Sequence, residues 1–201
     1  MPRLLYPFLV YRSFFFPFFV LSLIVVPCWL VFRLYRLRSP GHPLSLRRET
    51  LLLTFVLYVC GLASATLSPN HPSRVNAETA VGIEVHPNLA SLTCSSAIMA
   101  KGSNDRFFCL YNAKGNVFLF FPLGILLPLV WRRLHFWSGL GIATALSISI
   151  ELLQYFSRAW GSYRTADIND VVLNVFGAGV GLGAVFLLRL GRGTRRRVRR
   201  A

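Results

Sequence analysis

Hydrophobic residues form five long runs along the chain, and arginine-rich or otherwise polar segments separate them. A bilayer core about 30 Å thick requires roughly 20 consecutive apolar residues in a helix. The runs cover residues 14–34, 51–67, 117–131, 136–156 and 171–190. This pattern predicts an all-α membrane protein, a bundle of about five transmembrane helices with a polar extracellular segment between the second and the third.

The first run has two interpretations, a cleaved signal peptide or a retained helix. Arg3 and Arg12 precede it, as basic residues do in signal peptides. The run is longer than a usual signal-peptide core, and no small-residue cleavage site follows it. We therefore expect a retained transmembrane helix.

Composition supports the membrane assignment and argues against nucleic-acid binding. Of the 201 residues, 54% are hydrophobic and 14% are charged, whereas soluble domains average about 25% charged residues. The net charge of +15 is concentrated in segments around the apolar runs, above all in a basic tail at 191–201. Such a tail favours anionic lipid headgroups, with about 1 kcal/mol per basic residue near the surface, so membrane lipids are the expected partners.

The basic residues also predict the orientation. The segments after the first, third and fifth runs hold 14 of the 22 Lys and Arg residues, and the alternate segments hold eight. Cytoplasmic loops carry the excess of basic residues. We therefore expect the N-terminus outside and the C-terminus in the cytoplasm.

The segment 68–115 is polar, rich in Ser, Asn and Pro, and is predicted to lie outside. It contains Cys94 and Cys109, which are either two unpaired thiols or a disulfide, and an oxidising compartment permits the disulfide. Short structure is expected within it, a strand or turn at 82–88 and a helix at 89–99. The chain thus divides into an N-terminal helix with an arginine-rich loop, 1–50, and a helical region, 51–201.

Polar side chains from three predicted helices converge near the outer end of the bundle. Glu151 and Gln154 are three residues apart, and Asp170 and Asn174 are four apart, so each pair shares a helix face. Glu151 and Asn174 lie about equally far from the outer ends of their predicted helices, so we expect them at similar depth. Asn116 stands at the predicted mouth of the third helix. Ionisable groups within spans are costly and normally face the bundle interior or a wet cavity. The expected ligand-binding residues are Asn116, Glu151, Gln154, Arg164, Asp167, Asp170 and Asn174.

Structural explanations of the same residues remain open. Asp167 and Asp170 fit an N-cap followed by an acidic N3 residue. Arg164 is placed either to neutralise a ligand-binding carboxylate or to form a structural salt bridge. Glu151 and Gln154 fit polar contacts between helices as well. The Cys and His spacing does not match a zinc site, and we expect no cofactor, although the carboxylate and amide oxygens are suitable ligands for Mg²⁺ or Ca²⁺.

Helix-packing signals occur in the third and fifth runs. Gly177 and Gly181 form a GxxxG spacing, overlapped by Gly179 and Gly183, which allows close helix packing within the chain or a homo-oligomer through that face. Pro122 cannot donate a backbone hydrogen bond, so we expect a break or bend in the third helix there.

These residues resemble the VanZ-like family of bacterial membrane proteins. The matching motifs are Asn116-x-x-x-Phe120-x-Pro122-x-Gly124, Glu151-x-x-Gln154 and Arg164-x-x-Asp167-x-x-Asp170-x-x-x-Asn174-x-x-Gly177-x-x-x-Gly181. The resemblance covers roughly the second half of the chain. It implies a multi-pass protein of the bacterial plasma membrane, and its namesake is associated with resistance to the glycopeptide antibiotic teicoplanin.

Three functions are consistent with this sequence. The first is binding of an envelope lipid, a cell-wall lipid intermediate or a glycopeptide in an outer polar pocket. The second is an intramembrane enzyme acting on a lipid-linked substrate, with Glu151 as general base and Asp170 orienting a water or cation. The third is transport, which five spans without repeat symmetry favour least.

Overall fold

The computed structural model describes residues 12–37, 45–67, 83–84, 92, 94, 103–157 and 166–198. In this part of the chain the helices are α1 (Arg12–Leu37), α2 (Leu46–Leu67), α3 (Ser103–Val130), α4 (Phe136–Phe156) and α5 (Ile168–Val198). Each of them contains a stretch long and apolar enough to cross a membrane. The predicted all-α membrane bundle is confirmed, and the protein is a multi-pass membrane protein.

Four of the helices begin earlier than the hydropathy pattern predicts, whereas α4 begins at Phe136 as predicted. α3 starts at Ser103, so residues 103–115 are helical instead of belonging to the predicted outer loop. This part of α3 is polar, with Asn104 and Asp105 among its residues, and it extends beyond the apolar span. The hydropathy pattern therefore does not indicate that it is helical. α3 also continues through Pro122 and Pro128, so of the break or bend expected at Pro122, the break does not occur.

Helices α3 and α5 form the centre of the bundle, with α4 packed against α5 and α2 packed against both α3 and α4. The core between them is apolar. It consists of Leu62, Phe120, Leu123, Leu127, Ala143, Ile150 and Ala178.

Glycines allow the backbones of α3 and α5 to touch. A Cβ atom on Gly177 would lie 2.2 Å from the carbonyl oxygen of Val117, and one on Gly181 would lie 2.3 Å from that of Phe121. The face that carries Gly177 and Gly181 is thus covered by α3 of the same chain. Packing within the chain thus occupies this face at Gly177 and Gly181, and a homo-oligomer through it stays a prediction.

Helix α1 packs against α2 and is otherwise exposed. In its most apolar window no residue is buried, so in a bilayer this helix faces lipid. A bidentate ion pair fastens it to α2, with Nε of Arg33 2.7 Å from Oε2 of Glu49.

The two ends of the bundle differ in chemistry. At one end, which we call the arginine end, the guanidinium of Arg189 on α5 donates to the carbonyl oxygens of Pro128 and Arg132. Carbonyls at a helix C-terminus have no partner within the helix, and Arg189 therefore caps α3 from outside it.

The opposite end, which we call the disulfide end, contains the start of α5 and the bond between Cys94 and Cys109. The disulfide favoured by the sequence is present. Two short strands lie here as well, β1 (Ile83–Glu84) and β2 (Ala166–Asp167), and they pair in parallel with Glu84 opposite Asp167. A strand was expected at β1. Leu92 is helical, and the rest of the helix expected at 89–99 lies outside the described residues except for Cys94.

Candidate functional site

Asp170 connects the first turn of α5 to α3. Its Oδ1 accepts hydrogen bonds from Nδ2 of Asn116 at 2.6 Å and from Nδ2 of Asn112 at 3.1 Å. Asn112 and Asn116 are four residues apart and share one face of α3. Hydrogen bonds to a carboxylate are stronger than those between neutral groups, and these two fix Asp170 without adding a positive charge.

Asp167 caps α5, and Glu151 holds the capping residue. Oδ1 of Asp167 accepts the N–H of Asn169 at 2.8 Å, as an N-cap side chain does. The N–H of Asp167 donates to Oε2 of Glu151 at 3.0 Å. In a capping box the acid at the third helical position takes that N–H. Here Asp170 holds that position but bonds to α3, and Glu151 from α4 takes its place. The N-cap prediction for Asp167 is confirmed.

Two more polar contacts connect the helices below and beside this cap. Nε2 of Gln154 donates to the carbonyl oxygen of Thr66, near the end of α2, at 2.7 Å. Nδ2 of Asn174 donates to Oγ of the fully buried Ser147 at 3.0 Å. Oδ1 of Asn174 is buried and accepts no hydrogen bond from the residues that the structure describes. Gln154 and Asn174 therefore act between helices, as interior polar residues do in membrane bundles.

A pocket of about 230 Å³ opens between α3 and the start of α5. Asp167, Asn169 and Asp170 line it from β2 and α5 together with Leu173, and α3 supplies Cys109, Asn112 and Ala113. Asn112 is exposed, whereas Asn169 is only 3% exposed. The pocket thus offers carboxylate and amide groups along one wall and apolar groups beside them.

The predicted site residues do not form one cluster. Asp167 and Asp170 line the pocket, and Asn116 holds Asp170 in position. Glu151 and Gln154 are only 7% and 9% exposed and are not among the described residues that line the pocket. Glu151 and Asn174 were expected at similar depth, which is wrong: Glu151 lies level with Asp167, whereas Asn174 lies level with Ser147.

The physical reason is the position of α4 relative to α5 along the bundle, together with the start of α5 at Ile168, three residues earlier than predicted. Because α4 continues past the level at which α5 begins, Glu151 reaches the residue before α5. Ser147, one turn away from Glu151 on the same face, then reaches Asn174. The polar residues consequently form a series of contacts between helices, which we call the ladder: Asp170 with Asn116, Asp167 with Glu151, and Asn174 with Ser147. Only its outer contacts, those of Asp167 and Asp170, involve residues that line the pocket.

Sequence reasoning missed Asn112, Asn169, Ser147 and Thr66. Asn112 precedes Asn116 by one turn, and Ser147 precedes Glu151 by one turn, so helical spacing could have indicated both. Asn169 lies next to Asp170, but its burial follows from tertiary packing. Thr66 contributes a backbone carbonyl, for which a sequence contains no signal.

Arg164, the remaining predicted site residue, lies outside the described residues. In the part of the chain that is described, no three His, Cys, Asp or Glu side chains are grouped in a way that could hold a metal ion. The geometry thus gives a pocket whose polar wall is made of Asp and Asn side chains.

Comparison with known proteins adds one finding. A family model described as VanZ/LLP1 matches residues 55–189. The match begins inside α2 and ends inside α5 at Arg189, so it includes α3, α4, most of α5 and every polar contact of the ladder but omits α1. Searches of curated proteins and of solved structures gave no match.

Proposed function

The chain belongs to the VanZ/LLP1 family, and from that premise we propose that it is a bacterial envelope protein that binds a polar headgroup at its disulfide end. The ligand belongs to an envelope lipid, a cell-wall lipid intermediate or a glycopeptide of the teicoplanin type. The plasma membrane is its proposed location.

The level of the pocket along the bundle carries this proposal. The apolar span of α3 begins at Cys109 and that of α5 begins at Ile168, and the lining residues surround these two positions. Lipid headgroups occupy the same level in a bilayer, where the hydrocarbon core ends. A pocket of this size accommodates a headgroup rather than a whole amphiphile, since pockets for drug-sized ligands measure about 300–1,000 Å³.

The proposed orientation places the disulfide end outside the cell. Two independent features support it. Basic residues are concentrated in the segments at the arginine end, as in cytoplasmic loops. The disulfide between Cys94 and Cys109 is of the kind that persists in an oxidising compartment.

Binding is favoured over catalysis by the position of Glu151. A general base needs access to its substrate, yet Glu151 accepts the N–H of Asp167 and is not among the described residues that line the pocket. Its carboxylate stabilises the start of α5. The observations therefore favour a binding protein over an intramembrane enzyme that uses this residue.

The experiment extracts the protein from its host membrane into polymer nanodiscs and compares the retained lipids with the bulk membrane. Wild type should retain one enriched headgroup class, and Asp170→Asn should lose the enrichment. Ser149→Ala is the matched control because Ser149 is exposed and its hydroxyl bonds to its own helix. Teicoplanin susceptibility of a deletion strain carrying each variant gives a second readout. Equal lipid composition in all three proteins, with equal susceptibility, would rule out the proposal.

A further inference from the structure

We infer that the arginine end of the bundle binds the headgroup of an anionic phospholipid, between the start of α2 and the turn that joins α3 to α4. This site lies at the end of the bundle opposite the pocket, and the inference does not depend on the proposed function. It follows from the arrangement of arginine and aromatic side chains on these two elements.

The arginine end carries a large excess of positive charge. Its segments hold 14 of the 22 Lys and Arg residues and one of the seven acidic residues, Glu49. Glu49 is already bonded to Arg33 of α1, and Arg189 donates to carbonyl oxygens at the end of α3. No other acidic side chain occurs in these segments, so the remaining arginines are available to an anion from outside the chain.

Two of these arginines lie at the junction between α2 and the end of α3. Arg48 and Arg132 are exposed, and neither forms an ion pair with another residue that the structure describes. Arg132 follows Trp131, whose ring lies 5.3 Å from the ring of Phe55 on α2, measured between centroids. Arg48 precedes Phe55 by seven residues, about two helical turns, so it lies on the same face of α2 about 10 Å nearer to the end of the bundle.

An exposed aromatic surface lies below these arginines, at the level where the hydrocarbon of a bilayer ends. Trp131 directly follows the apolar span of α3, which ends at Val130, and it is 49% exposed. Tryptophan is enriched at this level in membrane proteins. The headgroup layer extends about 5–7 Å beyond the hydrocarbon on each side. A lipid whose glycerol and upper acyl carbons contact Trp131 therefore has its phosphate at the level of the arginines.

The chemistry of the two arginines favours a phosphate with net negative charge. A guanidinium group donates two parallel hydrogen bonds to phosphate oxygens, and such charged bonds are about twice as strong as neutral ones. Phosphatidylcholine also contains a phosphate, but the surrounding arginines repel its quaternary ammonium group. The site should therefore prefer phosphatidylglycerol, which has no cationic group, over phosphatidylcholine.

The test follows the fluorescence of Trp131 after the other three tryptophans are replaced by phenylalanine. The protein is placed in phosphatidylcholine nanodiscs with a small fraction of lipid brominated near the glycerol end of its acyl chains, because bromine quenches tryptophan on contact. Half-maximal quenching should require a roughly 25-fold lower mole fraction of brominated phosphatidylglycerol than of brominated phosphatidylcholine. This factor is about fivefold for each of the two arginines, the value that corresponds to about 1 kcal/mol per basic residue.

Arg48→Gln and Arg132→Gln should each reduce the preference for phosphatidylglycerol by about fivefold. Arg36→Gln is the matched control, because it removes the same charge at the same end of the bundle. Arg36 lies on α1, with its guanidinium over the ring of Phe32, and its replacement should leave the preference unchanged. Equal losses in the three variants would indicate a general attraction of the basic surface and would overturn the site.

Further measurements keep the inference testable without these variants and separate it from the proposed function. Protection of the buried Cys60 from a thiol-specific dye, in proteins with Cys28 replaced by alanine, shows which variants are folded. Equal quenching by the two brominated lipids in the protein without arginine substitutions would overturn the inference whatever the variants do. Binding of a short RNA together with such equal quenching would make the surface a nucleic-acid site instead. Asp170→Asn, which tests the pocket at the disulfide end, should leave the quenching of Trp131 unchanged.

Discussion

Replacing Gly177 by alanine should force α3 and α5 apart and disturb the pocket. An added Cβ atom would lie 2.2 Å from the carbonyl oxygen of Val117, whereas carbon and oxygen atoms in contact lie about 3.3 Å apart. The two backbones must therefore separate by about 1 Å. The neighbouring residue of Val117 is Asn116, whose bond to Asp170 measures 2.6 Å. A separation of that size lengthens the bond to about 3.6 Å, beyond the hydrogen-bond range.

The expected cost is the cost of overpacking, about 1–3 kcal/mol. Alanine also gains roughly 1 kcal/mol over glycine in a helix interior, and this gain must be measured separately. Gly183→Ala is the matched control, because it lies on the same helix and its added Cβ would have no atom within 4 Å. Gly177→Ala should be destabilised, and Gly183→Ala should be equal to wild type or slightly more stable.

Thermal unfolding can be followed through a native thiol. Cys60 is only 3% exposed and should react with a thiol-specific dye only on unfolding. Cys28 is exposed and would react in the folded protein, so it is replaced by alanine in every variant. A Gly177→Ala protein that melts at the same temperature as Gly183→Ala would refute the close approach of α3 and α5.

Three other contacts have measurable consequences. A double-mutant cycle with Arg33→Gln and Glu49→Gln should give a small but measurable coupling free energy of about 1 kcal/mol or less, because the two side chains are 17% and 18% exposed. A coupling free energy of zero would show that the ion pair does not link α1 to α2. Reduction of the bond between Cys94 and Cys109, which are 15 residues apart, should lower stability by about 3 kcal/mol, and an unchanged melting temperature under reducing conditions would contradict this. Arg189→Gln should destabilise the arginine end by about 1.5–3 kcal/mol because the carbonyl oxygens at the end of α3 lose a charged donor. Amide hydrogen exchange should become faster at the end of α3 and not elsewhere, and an unchanged rate there would exclude the cap.

The spans were predictable because hydropathy is a local property. Each predicted run overlaps one of the helices, and α4 agrees at both ends. The start of α3 was not predictable in the same way, because residues 103–108 lie outside the apolar span and include Asn, Asp and Arg. A hydropathy window reports where a helix can cross lipid and does not report where it begins.

The site was predictable only in part, for a related reason. Helical spacing identifies which residues share a face, and it pairs Asp170 with Asn174, although Asp170 bonds to α3 and Asn174 bonds to α4. It does not give the relative height of two helices. The prediction that Glu151 and Asn174 are level failed because α4 continues past the start of α5. The role of Asp167 depends on the backbone N–H of Asn169, and that of Glu151 depends on the N–H of Asp167. Both groups lie at the start of α5, which begins at Ile168.

The proposed function requires the pocket to open on the outer side of the membrane, and labelling of two introduced cysteines tests this directly. Asn112→Cys places a thiol in the pocket lining, and Arg133→Cys places one at the exposed arginine end, both in a background with Cys28 and Cys60 replaced by alanine. With intact cells and a membrane-impermeant maleimide, the cysteine at position 112 should be labelled at once and the one at 133 only after lysis. Labelling in the reverse order would place the pocket in the cytoplasm and contradict the account.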